Sequence, residues 1–312
     1  MTVRKVFVLC AIFFFIYIFI PGPSNQDNKL FIQKGSRMMI ADSLKNNDII
    51  RDKYSFWVLA QLLRIFGPMQ SGEYIFDARD SLFSVLKTIQ LARVAEYSIT
   101  FPEGLYTSEI LEIILNDKNL KGLVDKTYKE GSLMPSTYHF NFGHTRSALL
   151  ERMFINMSDY LNNAWLKRDK NLLLTNKQQA LILASIVEKE TQFDEERARV
   201  AAVFYNRLKK GMRLQSDPTT IYAITKGKYV LKQPLTKKNL KIKSAFNTYY
   251  TYGLPPQPIC NPGVASILAV MHPAHTRELY FVLGSDGRHV FANKYKDHLV
   301  NVREYRKQAR AN

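Results

Sequence analysis

The stretch Leu181-Ile-Leu-Ala-Ser-Ile-Val-Glu-Lys-Glu-Thr191 is an almost wholly apolar run that closes on two carboxylates. Its composition predicts a buried helix, the piece around which the rest of a domain must pack. Helical neighbours lie three and four positions apart, so Glu190 sits above Ile186 and Val187, with Leu183 one turn further back. Glu188 falls on roughly the opposite side of the cylinder, over Ala184 and Ser185. One carboxylate can therefore face water while the other faces apolar walls. An apolar setting disfavours the charged form and raises a carboxyl pKa, which is how a glutamate becomes a proton donor near neutral pH. The same stretch also reads as a helix end with two solvated carboxylates, and by itself it does not decide between the two.

Working outward, Thr175 with Gln178 three positions on forms a capping-box pattern that opens this helix. After it, Glu196 to Leu208 continues as a helix with Val200, Val203, Phe204 and Leu208 on one side. Asn206-Arg207 stand at its end, before the terminating Gly211. Asp217-Pro218 is an N-cap and first-turn signature, and the helix it opens presents Thr219, Thr220 and Tyr222. Capping accounts for Asp217 and Pro218 but not for Gln215 or Tyr222. Phe246-Asn-Thr-Tyr-Tyr-Thr-Tyr252 then runs into the proline-rich turn Gly253 to Gly263. Sugars stack their apolar faces on rings and hydrogen-bond their hydroxyls to amides and phenols, so this is a candidate carbohydrate platform. A tyrosine-rich strand pair in plain sheet packing is the competing reading. The candidate site residues are Glu190 with Gln215, Asp217, Tyr222, Asn247, Thr248 and Tyr249. His272-Pro-Ala-His275 has near-ligand spacing, but the proline spoils a two-ligand helical face and no carboxylate or cysteine cluster completes it. No phosphate loop and no Gly-x-Ser-x-Gly elbow is present, so neither a metal nor a cofactor is expected.

The chain has 312 residues, 46% of them hydrophobic, with a net charge of +17 and a pI near 9.7. That length allows two domains and that composition is globular. The charge favours polyanionic partners: nucleic acid, anionic lipid or an acidic wall polymer. Val6 to Ile20 (VFVLCAIFFFIYIFI) is uncharged, follows Arg4 and Lys5, and precedes Pro21-Gly22-Pro23. No small-x-small cleavage pattern follows it, so it reads as an uncleaved signal anchor with its N-terminus in the cytoplasm. A cleaved signal peptide is the alternative. Both export the bulk of the chain, which removes nucleic acid as a partner. Cys10 lies in the apolar run and Cys260 stands alone, so no intramolecular disulfide is expected.

The predicted fold class is α+β. Lys29 to Gln33 alternates like a strand, Met38 to Ile50 and Tyr54 to Ile65 read as helices, and Ser71 to Phe76 as a turn entering a strand. Leu82 to Leu91 is a helix capped by Asp80-Ser81, and Ala95 to Phe101 a strand. Thr107-Ser108 caps a helix through Leu115, and Thr145 to Trp165 is a long amphipathic helix. Tyr295 to Asn312 reads as an exposed basic helix. The expected organisation is a cytoplasmic stub and anchor over 1–23, a small strand-helix-helix-strand module over 24–104, and a mixed α+β catalytic domain over 105–312.

Several motifs occur in one order: ASIVEKET (184–191), FYNRL (204–208), GMRLQSDPTTIYA (211–223), FNTYYTYGLPP (246–256), NPG (261–263), HPA (272–274), LYFV (279–282) and HVF (289–291). In this the chain resembles the endolytic murein transglycosylases of the MltG (YceG-like) family. The resemblance is strong from Lys177 to about Asn301 and weaker at Glu130 to Phe140 and in the N-terminal module, which it implies is LysM-like. One departure is Gln257, where the family tends to have glycine; it bears on the rim rather than the chemistry. The resemblance implies that Glu190 is the catalytic acid of a peptidoglycan lytic transglycosylase. Such an enzyme cleaves between N-acetylmuramic acid and N-acetylglucosamine in nascent strands, leaves 1,6-anhydromuramyl ends and terminates elongation. It also implies a single-pass inner-membrane protein with a periplasmic catalytic domain, anchored through residues 6–20, with peptidoglycan synthases as partners. Most glycoside hydrolases need two carboxylates, and the downstream motifs supply no convincing second one. A lysozyme-type muramidase and a non-catalytic peptidoglycan-binding protein are the other readings.

Overall fold

The computed structural model describes residues 3–64 and 67–308, with residues 3, 4 and 7 as backbone only. Ile65, the expected end of one helix, lies outside the described residues, as do positions 1–2 and the last four of the basic tail. The chain forms two compact units, one of residues 1–98 with 139–144, the other of 99–138 with 145–312.

The first unit begins with α1 (Val3–Tyr17), followed by β1 (Asn28–Ile32), α2 (Arg37–Asn46), α3 (Lys53–Leu62), β2 (Gly72–Phe76) and α4 (Leu82–Gln90). β1 and β2 pair antiparallel, with Leu30 opposite Tyr74. The strand-helix-helix-strand order expected from the sequence is thus present, and α2, α3 and α4 each start at an oxygen cap. Ser36 accepts from Met39, Asp52 from Ser55 and Ser81 from Ser84. A core of Ile32, Leu44, Phe56, Tyr74, Phe76 and Leu86 closes the module. Ile18, just beyond α1, joins that core, and Phe19 packs 5.2 Å from the Phe83 ring. The body of α1 is bare: Leu9, Ile12, Phe13, Phe15 and Ile16 are all exposed. At 15 residues α1 is about 22 Å long, and among the described residues no helix is both long and apolar enough to cross a membrane.

In the second unit, α5 (Thr107–Asn116) and α6 (Arg146–Leu166) precede α7 (Lys177–Glu190), α8 (Asp194–Lys209), α9 (Asp217–Thr225) and α10 (Val264–Met271). A hairpin of β5 (Tyr280–Leu283) and β6 (His289–Ala292) follows, then α11 (Tyr295–Gln308). A further two-stranded sheet joins β3 (Glu96–Thr100) to β4 (Thr137–Asn141), and the division between the units falls within both strands. The fold is mixed α+β, with small sheets and a helical core. α7 is the axis of the second unit: all eight residues from Ala180 to Val187 are buried, against α10, α8 and α6. α10 packs on both α7 and α8 through Ile267, Val270 and Met271. Burying that aliphatic surface stabilises the unit by about 2 kcal/mol per large side chain, which is why this stretch organises the domain.

Three expected caps fall one residue off: Thr107, Thr175 and Asp217 give way to Tyr106, Asn176 and Ser216. α5 is entered at Tyr106, whose N–H donates to the Glu109 carboxylate at 2.7 Å, with Thr107 already helical. The 246–252 segment forms turns and no strand, because Asn247 and Thr248 turn inward to bind backbone and hydroxyl groups.

Candidate active site

Glu190 owes its position to both ends of α7. The N-cap is Asn176, whose side chain accepts from Gln179 N at 2.9 Å, while Gln179 Oε1 accepts from Thr175 N at 2.8 Å. The predicted capping box of Thr175 and Gln178 does not form: the cap lies one residue on, at Asn176, and Gln179 reaches back to the N–H before it rather than to the cap's own. At the other end Thr191 is extended, and its hydroxyl donates to Glu196 as the chain turns into α8. Glu188 and Glu190 then part company. Glu188 accepts from Gly263 N at 2.9 Å and pairs with Arg197 at 3.2 Å, both side chains only 6% exposed. Arg197 also reaches Asp194 at 2.9 Å. Glu188 therefore bolts the last turn of α7 to α8 and α10, and the solvated-pair reading does not hold for it.

Glu190 opens onto a cavity of about 360 Å³. It is lined by Leu214 and Gln215 from the α8–α9 loop, Asp217 at the start of α9, and Tyr249. Arg207 of α8, Tyr280 and Phe281 of β5, and Tyr295 and His298 of α11 complete the lining. Burial pushes the Glu190 carboxyl up to about 7; the Ser216 hydroxyl opposes this, the Asp217 charge adds to it and Arg207 opposes it. A carboxyl that holds its proton at neutral pH is a competent general acid, and once ionised a competent base.

The surrounding groups are arranged around that acid. The Tyr249 hydroxyl donates to Asp217 Oδ1 at 2.7 Å, fixing the two against each other. Gln215 has a left-handed backbone, φ 50°, and its N–H donates to Thr248 O at 3.1 Å. That conformation costs a non-glycine residue about 1 kcal/mol, and strain of this kind gathers at functional sites. Arg207 is buried, and burial lowers its pKa; Nε donates to Leu279 O and Nη1 to Leu214 O, both at 2.6 Å. Tyr280 stacks on His298 at 5.1 Å and 21°, and lies 5.7 Å from the Tyr295 ring. This aromatic wall offers the flat faces on which pyranose rings stack.

Of the residues singled out in the sequence, Gln215, Asp217 and Tyr249 share the cavity with Glu190. Tyr222, Asn247 and Thr248 do not line it. Tyr222 is buried between Tyr106 and Phe246, and its hydroxyl meets Glu130 and Gln257, each at 3.3 Å. Asn247 donates to Leu240 O and Ile242 O and accepts from Thr220. Thr248 Oγ1 accepts from Ser216 N and pairs with Thr219. These last two hold the loop that carries Gln215 and Tyr249. Arg207, Tyr280, Phe281, Tyr295 and His298 were not singled out for the site, and the first turn of the expected exposed helix is in fact cavity wall. His272 binds Asp169 at 2.7 Å, so it is spent on packing.

A carboxyl raised to about 7 in a cavity lined by aromatic and polar side chains makes a site suited to acid–base chemistry. The chain belongs to the YceG-like family, whose model matches residues 30–304. It is 31% identical to the endolytic murein transglycosylase of Bacillus subtilis over 88% of this chain and 85% of that one. It is 34% identical to the protein of the same name from Streptococcus pneumoniae over 56% of this chain, and spans only 32% of that longer relative. The 2.6 Å crystal structure of a YceG-like protein from Listeria monocytogenes superposes with a TM-score of 0.54 at 25% identity, covering 89% of this chain and 99% of that one.

Proposed function

We propose that this protein is an endolytic peptidoglycan lytic transglycosylase. The observation that carries the reading is Glu190, protonated up to about pH 7 in the cavity. The names of the Bacillus and Streptococcus relatives support the substrate. Glu190 gives its proton to the oxygen linking N-acetylmuramic acid to N-acetylglucosamine, and the muramyl C1–O bond breaks. The Asp217 charge in the same cavity favours the positive charge that develops at C1, and the muramyl N-acetyl group assists. The muramyl C6 hydroxyl then bonds to C1 while its proton passes to the Glu190 carboxylate. The product is a 1,6-anhydromuramyl end; no water is consumed and the acid is restored.

The apolar, exposed face of α1 supports an anchor formed with Ile18 to Ile20 and led by Arg4 and Lys5. Residues 1–23 would then hold the protein in the cytoplasmic membrane, 24–104 form a LysM-like spacer, and 105–312 meet nascent strands on the outer side. There the enzyme would end elongation beside peptidoglycan synthases.

A lysozyme-type muramidase is the second reading, favoured by one observation: Asp217 lies in the same cavity. Mass analysis of products from purified peptidoglycan separates the two. Anhydromuramyl ends from the wild type, and none from Glu190→Gln, are expected. Reducing ends would establish the hydrolase, and a Glu190→Gln variant that fully complements in cells would establish a binding protein.

A further inference from the structure

The cavity that Glu190 lines also holds two polar groups that the reaction above does not use. Arg207 is only 8% exposed. Its Nε and Nη1 are taken by the carbonyls of Leu279 and Leu214, while Nη2 makes no hydrogen bond, and no carboxylate lies at ion-pair distance, among the described residues. Burying a guanidinium without a counter-ion is costly. The rest of this chain obeys that rule: its other buried arginine, Arg197, has Glu188, Asp194 and Glu103 around it. The second group is His298, stacked on Tyr280, whose Nδ1 is buried without a partner. Native structures leave few such atoms, and each calls for an explanation. Arg207 also lies against Tyr280, 5.3 Å from the ring centroid, so the cation and the imidazole pack on the same ring.

We propose that Arg207 and His298 form a subsite that receives a carboxylate of the glycan substrate while its glycosidic oxygen lies at Glu190. This rests on the transglycosylase reading. The ligand chemistry is a carboxylate beside a pyranose ring, which in peptidoglycan has two sources: the lactyl group of a peptide-free muramic acid, and the free carboxylates of the stem peptide. A guanidinium presents its donors in a fixed fork suited to a carboxylate. The bound anion would supply the missing counter-charge and accept from Nη2 and from His298. An uncharged chitin-type strand offers no such group, so the subsite would select muramyl-containing polymer.

The experiment uses the full chain in detergent with four strand preparations: peptide-bearing and peptide-stripped, each with its carboxylates free or methyl-esterified. Anhydromuramyl release from the free-acid, peptide-bearing strands by the wild type establishes the underlying reading independently. The subsite then predicts that esterification lowers kcat/KM at least tenfold, mainly through KM. Arg207→Gln should raise KM on the free-acid strands by a similar factor, leave kcat within about threefold and abolish discrimination against the ester. Arg207→Lys should restore part of it, and His298→Gln should weaken discrimination in the same sense, which keeps the test open should Arg207→Gln fail to fold. Strong cleavage of stripped strands assigns the lactyl carboxylate, and preference for peptide-bearing strands the stem peptide. Equal use of free-acid and ester strands by the wild type overturns the proposal. So does an Arg207→Gln variant that loses kcat equally on both and shifts the pH profile, since that marks a group tuning Glu190 alone.

Discussion

Replacing Glu190 by glutamine should make the protein more stable at alkaline pH and leave it unchanged in acid. The carboxyl titrates at about 7 in the folded chain against 4.5 for an exposed glutamate. Below pH 4.5 both states are protonated and the group contributes nothing. Between 4.5 and 7 the unfolded chain ionises first, so folding stability falls as pH rises; above 7 the loss is complete and level. The gap corresponds to about 3 kcal/mol. Glutamine has nearly the same shape and never ionises, so the variant avoids the loss. Urea unfolding of the full chain in non-ionic detergent measures it. The chain's two tryptophans, Trp57 and Trp165, fall one in each unit, so a Trp57→Phe background lets Trp165 fluorescence report on the catalytic unit. For a slope of about 3 kcal/mol per molar urea, the variant's midpoint should exceed wild type by about 1 M at pH 8 and coincide with it at pH 4.5. An equal difference at both pH values, or none at pH 8, would refute the reasoning.

The activity profile should fall as pH rises through about 7, when Glu190 can no longer donate. Ser216→Ala removes the hydroxyl that favours the carboxylate and should move that limb to higher pH, while Asp217→Asn should move it lower; initial rates across pH 5–9 check both. Arg197→Met strands the buried Glu188 charge and should cost about 3–5 kcal/mol in the same unfolding assay. Leu183→Ala, at the fully buried centre of α7, should cost about 2–5 kcal/mol through the cavity it leaves.

Helices with oxygen caps and clean periodicity were legible almost to the residue, as α4 and α6 show. The acid was legible too, because Glu190 and Glu188 diverge by simple helical geometry. The loop residues were harder. Asn247 and Thr248 look like ligand groups in the sequence, yet backbone carbonyls and hydroxyls within the fold satisfy them, and no local pattern distinguishes those partners from a sugar. Apart from Arg207, the rest of the cavity lining was not legible because it comes from residues 280–298, some 90 to 108 positions beyond the acid, and long-range pairing leaves no periodic trace. One signal was present: Tyr295 and His298 are spaced three apart and share a helix face. It was masked by the polar average of a basic tail.

The helices that line the cavity differ in how firmly they are held. α7 buries eight consecutive residues, whereas no residue of α11 is buried. Backbone amides of α7 should therefore exchange with deuterium only on opening of the whole unit, and those of α11 through cheap local opening. The proton donor is mounted on the most deeply packed helix, and Tyr295 and His298 on one with no buried residue. Opening of α11 alone would leave the acid in place and admit a polymer sideways, along its length. A cut in the middle of a strand then needs no free chain end to thread.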